Sequence, residues 1–195
     1  MTNQNPANSI NNLSAKNGLL IGLIVVVLNV VYYFIDPLLT FTNMWVGVFS
    51  LVLIIALLVI LGIDVRKKIG GFWSFGQAFK SLIIMTVIIV LFSTVYNFIL
   101  FKFVDTQLPA KATAALLEKT TATLNNLGMD QSKIDEATKT FTNGEVEAKM
   151  QPTIKNEALG FLYGVILYGI ISLIIAAIIK KKTPLIPVAY DEPQV

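Results

Sequence analysis

Four long apolar stretches, separated by polar or charged segments, set the plan of this chain. The first runs without a charge from Gly18 to Ile35 and stops at Asp36 and Pro37. The second covers Met44 to Ile63 and ends in "DVRKK". The third, about residues 78–103, contains "SLIIMTVIIVLFSTVYNFILF", and the fourth, about 159–179, precedes Lys180, Lys181 and Lys182. Each can cross a hydrocarbon core of roughly 30 Å as a helix rising 1.5 Å per residue. The pattern therefore predicts an all-α, polytopic membrane protein with four transmembrane helices. The first stretch does not read as a cleaved leader: almost no charge precedes it, and "YYFIDP" offers no small-residue cleavage site.

The polar segments complete this plan. Residues 1–17, rich in Asn and Ser, read as a disordered tail, 18–182 as the membrane domain, and 183–195 as a second tail. The polar insertion 104–158, between the third and fourth spans, is too long for a plain connection and is expected to be helical. Pro109 suits a first helical turn, and Leu116, Leu117, Leu124 and Leu127 fall on roughly one face, with Gly128 as the stop. A second short helix is expected from Asp130 or Ser132 to about "TNGE".

Between the second and third spans lies "GGFWSFGQAFK", residues 70–80. Ser74 and Gln77, three apart before an apolar run, form a capping-box pattern. A helix from Phe75 to near Phe103 would be about 43 Å long. That exceeds the hydrocarbon thickness, so its first turns should tilt or lie among headgroups. Gly70 and Gly71 allow a turn after the basic cluster. Arg66, Lys67, Lys68, Trp73, Phe75 and Lys80 together read as an interface anchor with affinity for anionic lipid headgroups. The competing reading, glycines that cradle a phosphate or lipid headgroup, is the weaker, since neither the spaced G-x-G-x-x-G pattern nor a P-loop lysine is present.

Composition narrows the chemistry. The chain of 195 residues is 55% hydrophobic and 14% charged, against about a quarter charged in soluble domains. It contains no cysteine and no histidine. That removes thiolate chemistry, the commonest general base and the commonest zinc ligand. No catalytic constellation, metal site or cofactor site is read from the remaining residues, so no cofactor is expected and the chain is read as not an enzyme. The net charge is only +3, and its placement matters more than its size. Basic residues gather at the second connection and after the fourth span, while the first connection has none. The positive-inside rule puts both termini and the second connection in the cytoplasm and the insertion outside.

Inside the spans, Asn97 and Asn29 are the candidates for interhelical hydrogen bonds. Gly18 with Gly22, and Gly160 with Gly164, are spaced for close helix approach, within one chain or between copies in a homo-oligomer. "VYYFID" and "VYNFILFKFVD" share a V-Y-x-F core and a closing aspartate, which leaves a parallel repeat of two-helix units open.

Four segments carry a resemblance: "GGFWSFGQAFK", "VYNFILFKFVD", "LGMDQSKIDEA" and "IIAAIIKKK". Over about residues 14 to 182 the chain resembles the bacterial membrane family called domain of unknown function 4199, found mainly in Bacteroidota. The resemblance implies a small four-span inner-membrane protein with a polar helical insertion before the last span. It implies no activity and no site residues. The expected function is a structural or interaction component of the bacterial inner membrane, its partners membrane lipids and not nucleic acid, with the protein partner unidentified. The alternative is a subunit of a small oligomeric transporter or channel.

Overall fold

In the computed structural model, which describes residues 6–181, eight α-helices follow one another in the order the apolar pattern demands. They are α1 (Pro6–Ile35), α2 (Leu39–Thr42), α3 (Met44–Lys68), α4 (Phe75–Ile99), α5 (Leu108–Asn126), α6 (Gln131–Thr142), α7 (Glu145–Met150) and α8 (Ile154–Ile179). A π-helical turn, Leu100–Val104, extends α4. Four of these helices are long and apolar enough to cross a membrane: Ser9–Ile35, Met44–Lys68, Phe75–Val104 and Ile154–Ile179. No strand occurs among the described residues; one antiparallel bridge joins Trp73 to Lys181.

α4 lies at the centre, packed along α1 on one side and α8 on the other. α1 and α4 run parallel and in register: Ser14 meets Ser81, 67 positions further on, and the same offset brings Gly18 against the Met85 backbone. α8 runs antiparallel to α4, with Gly164 against Val90 and Ser172 against Thr86. α3 buries Ile54, Leu58, Gly62 and Val65 against the bundle, towards its C-terminal end. Ile21, Leu58, Leu82 and Met85 are wholly enclosed where the four helices meet. The outward faces carry exposed Leu, Val, Ile and Phe throughout, as lipid-facing surfaces do.

The N-terminal segment differs from its expected disorder. α1 already begins at Pro6, and Ile10 and Ser14 are buried. The polar composition of 6–17 is misleading, because one stripe (Ile10, Leu13, Ser14, Asn17) docks on the bundle while Asn12 and Lys16 are exposed; residues 1–5 of the expected tail lie outside the described residues. The spans are longer than the apolar runs alone: α3 includes the basic cluster, and α8 starts at Ile154 with Thr153 as its N-cap. Residues 183–195 and Lys182 lie outside the described residues.

The insertion folds as three helices, one more than expected. α5 ends just before Gly128, α6 starts after Asp130, and α7 occupies the short stretch after Gly144. Ile134 and Thr138 of α6 are its buried positions, and Leu108 roots α5 on the bundle by packing with Leu100 and Phe101.

Candidate functional site

The end of the bundle opposite the insertion gathers most of the singled-out charge, and its geometry follows from the two glycines. Gly70 and Gly71 adopt φ of +110° and +83°, values that a side chain would strain. The chain thereby folds back so that Phe72 and Trp73 lie along the end of α8. The backbone of Trp73 exchanges two hydrogen bonds with Lys181, at 2.9 and 3.2 Å. Its indole N–H donates to the Ile179 carbonyl at 3.1 Å, and Arg66 Nη1 donates to the same oxygen at 2.7 Å. The last carbonyls of a helix have no partner within it. Here one is satisfied by two donors from the preceding hairpin, and the guanidinium also matches the negative end of the helix dipole.

This corrects the expected anchoring role of Trp73. The indole is only 2% exposed and latches α8 to the α3–α4 connection instead of reaching lipid headgroups. The exposed tryptophan is Trp45, 73% accessible, at the other end of the bundle. Phe75 is exposed and stacks on Phe79, with ring centroids 6.3 Å apart. Lys67 and Lys80 are exposed, Lys68 pairs with Asp64 at 2.7 Å, and Lys181 sits 5.3 Å over the Phe72 ring. The exposed lysines thus sit together at this end, with Arg66 and Trp73 turned inwards beneath them.

Just above the rim, α4 begins as its sequence requires. Ser74 Oγ accepts from the Gln77 amide at 3.3 Å, and Gln77 Oε1 accepts from the Ser74 amide at 2.8 Å, closing the capping box.

The small residues divide. A Cβ on Gly18 would lie 3.0 Å from the Met85 Cα, one on Gly22 would lie 3.0 Å from the Phe92 ring, and one on Gly164 would lie 2.8 Å from Val90 Cγ1. These three set the spacing of α1 and α8 on α4. Gly160 has nothing within 4 Å of that position, so it takes no part in packing within the chain. Asn97 is exposed on the wall of a small cavity, and Asn29 donates to its own helix at Val25. Interhelical bonds fall instead to hydroxyls and one unexpected amide. Ser14 bonds Ser81 at 2.7 Å, Thr86 bonds Ser172 at 2.9 Å, Tyr32 bonds Ser50 at 3.2 Å, and Asn17 donates to Leu61 at 3.1 Å. The available signal was the scatter of single hydroxyls in otherwise apolar runs; Ser14 and Asn17 were hidden in a segment read as a tail.

At the insertion end, α1, α2 and α4 surround a small polar cavity lined by Asn29, Tyr33, Asp36, Tyr96 and Asn97, among others. A larger groove of about 550 Å³ lies between α4 and α8, walled by Leu91, Val95, Phe98, Phe161 and Leu162. Its lining is apolar, suited to an acyl chain and not to a polar substrate. Among the described residues no group of three or more acidic side chains is placed to hold a metal ion.

No curated protein and no solved structure matches the chain. One family does: its match covers residues 16–181, from the docked end of α1 to the latch at Lys181. This chain, a four-span bundle with a helical insertion, thus belongs to the family described as Protein of unknown function (DUF4199).

Proposed function

We propose that this protein is a non-enzymatic structural or interaction component of the bacterial inner membrane. In this reading both termini and the basic rim face the cytoplasm, and α5–α7 form an outer module offered to a partner or to the lipid surface. The observation that carries it is the filled interior of the bundle. Where α1, α3, α4 and α8 meet, Ile21, Leu58, Leu82 and Met85 are fully enclosed and α1 is in near-backbone contact with α4. Such a centre suits a rigid support better than a path that must open and close. The rim of exposed Lys67, Lys80 and Lys181 supports the cytoplasmic placement, because cationic side chains accumulate on that side and meet anionic lipid there.

Two measurements test this. A reporter active only outside the cytoplasm, fused at Asn126 in the last turn of α5, should be active; an inactive fusion inverts the topology. Purified protein reconstituted in liposomes should pass ions and small solutes no faster than protein-free liposomes. A saturable flux would replace the scaffold with the transporter or channel subunit.

A further inference from the structure

We propose that the cavity between α1, α2 and α4 at the insertion end binds a small monovalent cation, the size of ammonium or potassium. Its volume is about 30 Å³. A water-sized occupant needs about 10–15 Å³ by the same measure, so one or two such species fit and a larger organic molecule does not.

The wall mixes oxygen-bearing side chains with apolar ones such as Phe41, Leu100 and Phe101, and holds one carboxylate, that of Asp36, which is itself exposed. Asn29 spends its N–H on the Val25 carbonyl, which leaves its oxygen available. Asp36 Oδ1 accepts from the Leu38 amide at 2.8 Å, which leaves the second carboxylate oxygen. Tyr33, Thr40, Tyr96 and Asn97 add hydroxyl and amide groups to the lining. Among the described residues no lysine or arginine forms a salt bridge with Asp36; Lys111 pairs with Asp105, and Lys119 reaches the Thr42 carbonyl. One carboxylate with neutral oxygens suits a singly charged ion, whereas calcium sites draw on several carboxylates.

Two further observations converge on this cavity. Its walls come from both segments that share the V-Y-x-F core: "VYYFID" supplies Tyr33 and Asp36, and "VYNFILFKFVD" supplies Tyr96 and Asn97. The closing aspartates have parted in role, since Asp105 is paired with Lys111 and Asp36 is left for the cavity. The floor is Leu100 and Phe101, the first residues of the π-helical turn closed by Asp105 N–H on the Leu100 carbonyl at 2.8 Å. Such a turn costs helix regularity and recurs at ligand sites. The cavity lies at the ends of the spans, where headgroups reside. The occupant is therefore either a dissolved cation or the primary ammonium of a lipid headgroup.

The test follows the thermal midpoint of the full chain, wild type and Asp36→Asn. The asparagine keeps the oxygen that caps Leu38 but removes the charge and turns the second oxygen into an N–H donor, so a cation loses its acceptor there; Tyr96→Phe serves as a second variant should Asp36→Asn not fold. In detergent, potassium or ammonium chloride is compared with N-methylglucamine chloride at equal ionic strength. In nanodiscs, phosphatidylethanolamine is compared with phosphatidylcholine. A midpoint raised by about 3–6 °C at about ten times the half-saturating concentration, and lost in the variant, supports a dissolved cation. A rise confined to phosphatidylethanolamine nanodiscs and lost in the variant supports the lipid ammonium. No rise in either series, or an equal rise in the variant, overturns the site.

Discussion

Trp73 and Ile179, 106 positions apart, are joined by a 3.1 Å hydrogen bond from the indole N–H to the backbone carbonyl. The bond ties the start of α4 to the end of α8, and Arg66 shares the acceptor at 2.7 Å. Trp73→Phe removes one donor while Arg66 still holds the carbonyl, so the loss should sit at the low end of about 0.5–1.5 kcal/mol. Trp73→Ala also empties a buried site and should cost about 3–5 kcal/mol. Unfolding of the detergent-solubilised variants measures both. Fluorescence gives an independent check, because Trp45→Phe leaves one enclosed indole, which should resist a water-soluble quencher. Ready quenching of that variant would place Trp73 at the surface and remove the latch.

Gly18 and Gly160 are both glycines in apolar helices, yet they should respond oppositely to the same change. Gly18→Ala drives a methyl to 3.0 Å from the Met85 Cα, where backbone must move, and overpacking of this kind costs about 1–3 kcal/mol. Gly160→Ala meets nothing within 4 Å and gains helix propensity worth about 0.8–1 kcal/mol. A destabilised Gly160→Ala protein would instead reveal a second copy or a partner seated on that face of α8. Thermal midpoints measured at several protein concentrations distinguish the two outcomes.

Ser14 and Ser81 should show a coupling that neither single change discloses. Their hydroxyls are 2.7 Å apart and fully buried, and Ser14 also donates to the Ile10 carbonyl at 2.7 Å. A double-mutant cycle to alanine should return about 0.5–1.7 kcal/mol, the range of interhelical bonds in membrane proteins. Additive effects would mean that the N-terminal turns of α1 do not dock on α4 in solution.

The spans, the capping box and the turn at Gly70–Gly71 were legible because each rests on local chemistry: an uncharged run, a Ser and Gln three apart, a pair of glycines. The roles of Trp73, Ser14 and Asn97 were not, because each depends on where a distant element ends. An indole beside a basic cluster reads as an interface anchor until the open carbonyl of Ile179 is known to lie within reach. A polar segment reads as a tail until one stripe of it is found against α4. Asn97 looked like interhelical glue, but it faces a cavity while hydroxyls carry the bonds between helices. At the candidate site the residue types were readable and their partners were not, since pairing is a property of the packed bundle.

Lys67, Lys68 and Lys80 should govern which lipids accompany the protein. They crown the end of the bundle where α3 stops and α4 starts, and all three are exposed. A lysine near an anionic membrane surface contributes roughly 1 kcal/mol, reduced by salt over a Debye length of about 8 Å. Lys68 counts for less than the other two, because Asp64 already meets it at 2.7 Å. Changing all three to Gln while sparing Arg66, which is committed to Ile179, should leave the fold intact. The ratio of anionic to zwitterionic lipid that co-purifies, read by lipid mass spectrometry, should then fall several-fold. The loss should be smaller when membranes are solubilised at high salt. An unchanged ratio in a folded triple variant would show that this rim does not select anionic headgroups.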